Sequence, residues 1–248
     1  MIRVGHRGAA ALEPENTLRS IARAVELGVD MVEVDVLALA DGTLVLAHSD
    51  DLHEISHGAA QGRLARESLA ELRAVAPDLP TLDEALALVA AAGADVQLDV
   101  KAPGYERALV EAVRRHGLAE RTVVSSCYAE VLLLAGQLEP ALRRGLTYPF
   151  DRRGISGRWF LRPAVRATLR GLRAALPRRI VGLLERADAS VATLHYTVVS
   201  AAAVRRCHEA GAQVLAWTVD DPALCARLGA LGVDGVITND PRIFSSYL

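Results

Sequence analysis

The chain has 248 residues, of which 51% are hydrophobic, and a formal net charge of −2. It is long enough for one large buried core, and (β/α)8 barrels have about this length. The slight negative charge argues against general nucleic-acid binding, and three cysteines without close metal-ligand spacing fit a reducing compartment. The first strand begins at Ile2 and the apolar runs are too short to span a membrane, so we expect a soluble cytoplasmic protein.

One unit recurs along the chain, consisting of an amphipathic helix, a glycine and a strand. The glycines lie where a helix is followed by a left-handed residue, at positions 28, 93, 117, 211 and 232. Thr81 with Glu84 predicts a capping box, and Asp221 before Pro222 predicts another helix start. Alternating helices and strands predict a single parallel α/β domain over residues 1–248, most simply a TIM barrel.

Nine strand candidates compete for the eight places of such a barrel. They lie near residues 2–5, 31–36, 43–47, 95–100, 121–126, 144–148, 190–194, 213–218 and 234–238. The gap between the second and third is too short for a helical crossover between parallel strands. Either one helix is missing or one candidate lies outside the barrel, and the sequence leaves both interpretations open.

Polar side chains collect at the predicted strand ends. Glu33 and Asp35 point to the same side of the second strand, because alternate strand residues share a face. A buried pair of carboxylates is costly unless a cation or a proton neutralises it. With His6 and Arg7 ending the neighbouring strand, the pattern indicates a hard metal ion, an anionic substrate and an acid/base imidazole in one pocket. The alternative is a structural ion pair between Arg7 and the carboxylates.

The barrel interpretation makes this site larger. TIM barrels carry their active sites at the C-terminal ends of the strands. Other candidate strands end in His48, in Asp99 with Lys101, in Ser125 with Ser126, and in Trp217. We therefore expect these residues to converge with the first pair of strand ends, and we expect Trp217 to contact the substrate.

Several motifs together resemble the glycerophosphodiester phosphodiesterase family. They are HRG and PENT near the N terminus, ExD in the second strand, acid-x-Lys at 99–101, and WTV with GVDGVIT near the C terminus. The resemblance implies a TIM barrel that uses a divalent cation to hydrolyse glycerophosphodiesters to glycerol 3-phosphate and an alcohol. It implies metal ligands at Glu33, Asp35 and Asp99, phosphate-binding cations at Arg7 and Lys101, and an acid/base pair at His6 and His48. Ligation by oxygen alone favours one Mg²⁺ or Ca²⁺.

The chain departs from the family pattern at three places. Ser49 follows His48 where the family usually has aspartate, Asp99 stands for a longer glutamate, and residues 52–58 lack the family's arginine. These departures keep open the alternative of a non-catalytic barrel that binds glycerophosphodiesters or membranes. A lysophospholipase D-type hydrolase of lysoglycerophospholipids is the second alternative. Asn16 is expected to cap the first helix, with substrate contact as the alternative.

A strongly basic segment lies outside the resemblance, from Asp151 to Arg186. Ten arginines against two acidic residues give it a net charge of +8. Pro163 and Pro177 are expected to bracket a helix with its arginines on one face. We interpret residues 151–187 as a basic amphipathic insertion on the catalytic rim. Three interpretations of this segment stay open. It is a helix packed on the barrel with its arginines solvated, it contacts anionic membranes or lipid substrates peripherally through residues 158–176, or it forms an oligomer interface.

Overall fold

Eight parallel strands close into a barrel in the computed structural model, which describes residues 1–56, 58–150 and 162–247. The barrel strands are β1 (Ile2–His6), β2 (Met31–Ala38), β4 (Asp95–Val100), β5 (Thr122–Ser126), β6 (Arg143–Tyr148), β7 (Val191–His195), β8 (Gln213–Trp217) and β9 (Gly235–Thr238). The barrel is closed at β1, which pairs on one side with β2, where Val4 lies opposite Met31, and on the other with β9, where Gly5 lies opposite Thr238. The predicted TIM barrel is confirmed.

The ninth strand candidate lies outside the barrel. Residues Leu44–Leu46 form β3, which runs antiparallel to the end of β2 with Ala38 opposite Leu44. An antiparallel hairpin needs only a short turn, so no helix is missing between the two strands. The hairpin returns the chain to the C-terminal end of the barrel strands, where His48 follows.

Helices cover the outside of the barrel in the expected alternation. They are α1 (Leu18–Glu26), α2 (Leu52–Ile55), α3 (Leu69–Val75), α4 (Leu82–Ala92), α5 (Glu106–Arg115), α6 (Ala129–Leu138), α7 (Arg162–Ala187), α8 (Ala201–Glu209) and α9 (Pro222–Ala230). The predicted capping box of Thr81 with Glu84 is present, and Asp221 caps α9 ahead of Pro222. All five glycines predicted to follow helices have positive φ values. Among the described residues, we find no helix that combines the length and apolar character needed to cross a bilayer.

The segment between β3 and α4, residues 47–81, has a small core of its own and is called the excursion below. Its helices α2 and α3 pack around buried leucines that include Leu52, Leu64 and Leu72, separate from the main core between the barrel and its helices. Because α2 is anchored through Leu52, the polar side chains on its other faces are held at the rim beside β3.

The long helix α7 differs from the expected one at its C-terminal end. It continues through Pro177 to Ala187, so the prediction that Pro177 ends the helix is wrong. Burial of Leu176, Ile180 and Leu184 against the main core outweighs the hydrogen bond that proline forfeits. This second half of α7 is the barrel helix between β6 and β7. The predicted insertion over 151–187 therefore includes part of the barrel layer, while residues 151–161 lie outside the described part.

Candidate active site

All eight site residues predicted from the sequence line one cavity of about 250 Å³ at the C-terminal ends of the strands. Gln97, Thr147, Thr193 and Phe150 complete its wall together with other side chains. Polar side chains of β1, β2, β4, β6 and β7 meet in this cavity, as expected at the C-terminal ends of barrel strands. The structure thus brings the predicted residues together, while their individual roles remain predictions. The eight residues are His6, Arg7, Glu33, Asp35, His48, Asp99, Lys101 and Trp217.

A tight turn after β1 shapes one side of this cavity. Arg7 has φ 51° and Gly8 has φ 85°, so two successive residues take left-handed backbone conformations. A Cβ atom at position 8 would collide with Ser20 on α1, which explains why glycine stands there. The turn aims the backbone N–H of Arg7 at Glu33 Oε2, 2.9 Å away.

Three carboxylates meet at the floor of the cavity. Oxygen atoms of Glu33, Asp35 and Asp99 all lie within 4.8 Å of one another. The strand register explains this meeting, because Asp35 on β2 lies opposite Asp99 on β4 and Glu33 lies opposite His6 on β1. Glu33 and Asp35 are buried, with 4% and 1% of their surface exposed. Such a set of hard oxygen donors fits a divalent cation such as Mg²⁺ or Ca²⁺.

Two side-chain cations balance part of this charge. Lys101 Nζ lies 2.5 Å from both Asp35 Oδ1 and Asp99 Oδ2, and Arg7 Nε lies 3.0 Å from Asp35 Oδ2. Arg7 also donates through Nη1 to Glu15 Oε1 at 2.7 Å. The ion pair between Arg7 and a carboxylate that the sequence allowed therefore exists. It is one part of a cluster in which carboxylates outnumber cations.

The two buried carboxylates of β2 have opposite pKa shifts. Burial would raise the pKa of Asp35, but the charges of Lys101 and Arg7 outweigh burial and hold it below its ordinary value. Burial, followed by repulsion from Asp35 and Asp99, raises the pKa of Glu33 well above its ordinary value. Of these two carboxylates, Glu33 is thus the one whose charge the protein compensates less, which supports the fit to a metal cation.

Two successive hydrogen bonds, through Asn239 just after the last barrel strand and on to Asp220, fix the ring of His6. Asn239 donates through Nδ2 to Asp220 Oδ2 at 2.8 Å, so its Oδ1 faces His6 Nδ1 at 2.6 Å. An amide oxygen only accepts, so Nδ1 carries the proton and Nε2 keeps its lone pair. Burial, and next the charge of Arg7, lower the pKa of His6, which favours the neutral ring at pH 7. Nε2 lies 3.9 Å from Glu33 Oε2.

His48 lies in a different environment at the mouth of the cavity. Its side chain is 42% exposed, compared with 15% for His6. Its Nδ1 lies 3.5 Å from Glu54 Oε1, on helix α2. The two histidines predicted as a pair therefore line one cavity, but one is buried and the other is accessible to solvent.

Asn16 has a role that the sequence did not predict. Thr17 is the N-cap of α1, so the prediction that Asn16 caps this helix is wrong. Instead, the Asn16 side chain donates to Asp35 Oδ2 at 2.9 Å and accepts from the Asp35 backbone N–H at 3.0 Å. This two-point contact fixes the orientation of the Asp35 carboxylate. The motif PENT was visible in the sequence, but its partner on β2 was not.

Asp99 is held by neighbours on three strands, of which Ser125 was expected at a strand end while Gln97 and Thr147 were not. Ser125 donates to Asp99 Oδ1 at 2.8 Å, and Gln97 donates to Ser125 Oγ at 3.0 Å. Thr147 on β6 donates to the same carboxylate at 3.3 Å. Polar residues inside otherwise apolar strands are the sequence signal that could have identified this group.

Trp217 lines the cavity and is held in place by contacts within the protein. Its Nε1 donates to the Thr193 carbonyl at 3.1 Å, and its ring packs edge-on against His195 with centroids 5.0 Å apart. The indole N–H is therefore engaged by the protein, and the ring offers an apolar surface to the cavity. The predicted contact between Trp217 and the substrate stays a prediction.

Comparison with known proteins identifies the family of the chain. The model of the glycerophosphoryl diester phosphodiesterase family matches residues 6–243. A glycerophosphodiester phosphodiesterase of Caldanaerobacter subterraneus is 26% identical, with 96% of this chain and 94% of the relative covered. One from Arabidopsis thaliana is 28% identical, with 98% and 72% covered.

Solved structures give the same result. An Oleispira antarctica phosphodiesterase in complex with the product sn-glycerol-3-phosphate has a TM-score of 0.78 at 26% identity, with 99% of this chain and 96% of that chain covered. The Thermotoga maritima glycerophosphodiester phosphodiesterase shares the fold with a TM-score of 0.78 at 22% identity, covering 100% of this chain and 98% of its own. Since the family model spans nearly the whole chain, including every predicted site residue, this chain belongs to the glycerophosphoryl diester phosphodiesterase family of hydrolases.

Proposed function

We propose that this protein hydrolyses glycerophosphodiesters to glycerol 3-phosphate and an alcohol in a reaction that depends on one divalent cation. The observation that carries the proposal is the convergence of Glu33, Asp35 and Asp99 with Arg7 and Lys101 in one cavity. Family membership supports it, and the Oleispira relative is described with sn-glycerol-3-phosphate as its product.

Glu33, Asp35 and Asp99 would hold the cation, with Mg²⁺ or Ca²⁺ favoured by the oxygen donors. When bound, the cation supplies Lewis acidity toward a phosphodiester oxygen. Arg7 and Lys101 would bind the non-bridging oxygens, the first as a planar two-pronged donor and the second as a point charge. Together these groups neutralise the negative charge that grows as the phosphorus is attacked.

The two histidines would divide the proton transfers. We assign the base to His6, because its neutral ring has an unprotonated Nε2 directed at the carboxylate floor. His48 would then protonate the leaving alkoxide at the solvent-accessible mouth, where the released alcohol departs. The nucleophile is either water or the 2-hydroxyl of the glycerol group. Accumulation of a cyclic phosphate would identify the hydroxyl.

The direct test is release of glycerol 3-phosphate from sn-glycero-3-phosphocholine, with and without EDTA. Activity should disappear with EDTA and return with Mg²⁺ or Ca²⁺. Asp99→Asn should lower kcat/KM by on the order of 10²-fold or more. Asp95→Asn is the matched control, because Asp95 starts the same strand and pairs with Arg121 and Arg143 at the opposite end of the barrel. Binding of substrate without product release would support the non-catalytic alternative instead.

We also infer a peripheral contact with anionic lipid surfaces through residues 158–176. In the described part of this segment, Arg166, Arg170 and Arg173 on α7 are exposed and have no acidic partner within ion-pair distance among the described residues. Most arginines elsewhere in those residues do have such a partner. Unpaired arginines on one helix attract anionic lipid headgroups. Such a contact would favour the lysophospholipase D-type activity, since the lysolipid substrate resides in the membrane.

Vesicle sedimentation tests this contact. The protein should co-sediment with anionic phosphatidylserine vesicles at low salt, and less at high salt because charges are screened over about 8–10 Å. The double variant Arg166→Gln with Arg170→Gln should lose binding and activity on lysolipids more than activity on glycerophosphocholine. Arg205→Gln with Arg227→Gln is the charge-matched control, since both arginines are exposed on other helices. A wild-type protein that ignores these vesicles would refute the contact.

A further inference from the structure

We propose that Glu54 is a positioning residue for His48, holding its ring so that Nδ1 carries the proton and Nε2 faces the cavity. Few other contacts among the described residues fix this ring. The backbone beside it is anchored, because Ala47 donates its N–H to the Asp35 carbonyl at 3.1 Å. The His48 side chain itself is 42% exposed, so packing alone does not define its orientation.

Glu54 is well placed to supply that orientation. Its Oε1 lies 3.5 Å from His48 Nδ1, while its Oε2 accepts a 2.5 Å hydrogen bond from Ser49 Oγ. The serine hydroxyl thus engages one carboxylate oxygen and leaves the other for the imidazole. Glu54 belongs to α2, whose N-cap is Asp51 and whose Leu52 is buried in the small core. The bond from Ser49 therefore holds the Glu54 carboxylate, and the buried Leu52 holds the helix that carries it.

The charge of Glu54 is also available to His48. Among the described residues, no lysine or arginine lies within ion-pair distance of Glu54, while nearby Arg63 pairs with Asp50. A carboxylate on Nδ1 selects one tautomer, fixes the ring plane and stabilises the imidazolium that exists between proton uptake and release. The unprotonated Nε2 of the neutral ring is then the atom through which His48 receives and donates its proton.

This inference rests on the proposed function, because it takes its meaning from the acid/base role of His48. A double-mutant cycle separates the two. Glu54→Gln keeps the shape and the bond to Ser49 but removes the charge, and we expect kcat to fall about 10- to 10²-fold with KM nearly unchanged. In a His48→Ala background, measured with long incubations, the same change should alter kcat less than about twofold, because the partner through which it acts is gone.

The controls define the outcomes. Glu67→Gln removes a charge from the same excursion and should leave kcat unchanged, and Glu54→Asp should restore part of the activity lost in Glu54→Gln. An equal loss in both backgrounds would overturn the inference, as would wild-type kcat in Glu54→Gln. Absence of product from the wild type would instead refute the proposed function itself.

Nitrogen NMR gives a readout that does not depend on activity. Long-range ¹H–¹⁵N spectra of the neutral rings should show the His48 proton on Nδ1 in the wild type and on Nε2 in Glu54→Ala. His6 is an internal reference, because Asn239 fixes its proton on Nδ1 in both proteins. An unchanged His48 tautomer in Glu54→Ala would show that Glu54 does not position the ring.

Discussion

Neutralising one carboxylate of the cluster should stabilise the metal-free protein at Glu33 and destabilise it at Asp35. The two residues lie two positions apart on β2 and are both buried, so their surroundings differ chiefly in their charged partners. Repulsion among carboxylates alone would predict that either change is stabilising. The contacts of Asp35 with Lys101 and Arg7 reverse the sign at that position.

The effect at Glu33 follows from its raised pKa. A carboxyl group with a raised pKa binds its proton more tightly in the folded state, so its contribution to stability falls as pH rises above the ordinary value of 4.5. Glu33→Gln imitates the protonated form at every pH. Its stabilising effect should therefore grow with pH, by at most about 1.4 kcal/mol per unit above pH 4.5, until the folded-state pKa is reached.

The effect at Asp35 has the opposite sign. Its lowered pKa means that the ionised form contributes stability above the unfolded value of 3.8, and that this contribution is lost as pH falls. Asp35→Asn removes the shared, buried partner of two partly buried cations and one half of the contact with Asn16. Breaking such a buried pair costs about 3–5 kcal/mol.

Urea unfolding in EDTA at pH 5, 6 and 7 measures both free energies of unfolding. Glu111→Gln, an exposed change on α5, is the control and should have little effect at any of these pH values. Saturating Mg²⁺ or Ca²⁺ should stabilise the wild type and leave Glu33→Gln nearly unaffected. A stabilising Asp35→Asn, or a Glu33→Gln effect that does not grow with pH, would refute this account of the cluster.

Two further predictions concern the histidines. His6→Ala and His48→Ala should each lower kcat by on the order of 10²–10⁴. His208→Ala should be tolerated, because that ring pairs with Asp234 on the surface. In turnover assays on glycerophosphocholine, an active His6→Ala or His48→Ala variant would show that the role assigned to that histidine is wrong. Asn239→Leu should reduce kcat about 10-fold or more while the thermal midpoint changes little, because it frees the His6 tautomer. Unchanged kcat would mean that Asn239 does not orient His6.

The fold was largely predictable because its signals are local. Helix periodicity and the glycines that follow helices identify five helix–strand units, and all five predicted glycines have positive φ. The sequence could not decide the place of β3, because a parallel and an antiparallel strand of three residues have the same composition. Its assignment depends on pairing with β2. Pro177 was misleading for a related reason, since buried contacts of α7 with the barrel outweigh local propensity.

The candidate site was predictable where its signals repeat along one strand. Glu33 and Asp35 identify a shared face by their spacing alone, and the strand-end rule adds Asp99 and Lys101. The groups that orient these side chains could not be predicted, because their partners are distant in sequence. His6 and Asn239 are 233 residues apart, and nothing in either segment indicates the other.

Despite the departures from the family pattern, the predicted site residues still line one cavity. Asp99 is one methylene shorter than the expected glutamate, yet it lies directly opposite Asp35 and its oxygens remain within 4.8 Å of the other two carboxylates. Ser125 and Thr147 hold it in that position. At a second of the three departures, the Ser49 hydroxyl binds Glu54 of α2, so a carboxylate lies beside His48. At both positions a carboxylate therefore lies close to the groups that the proposed phosphodiester chemistry would use, and such fixed charges act on the charge that develops in the reaction.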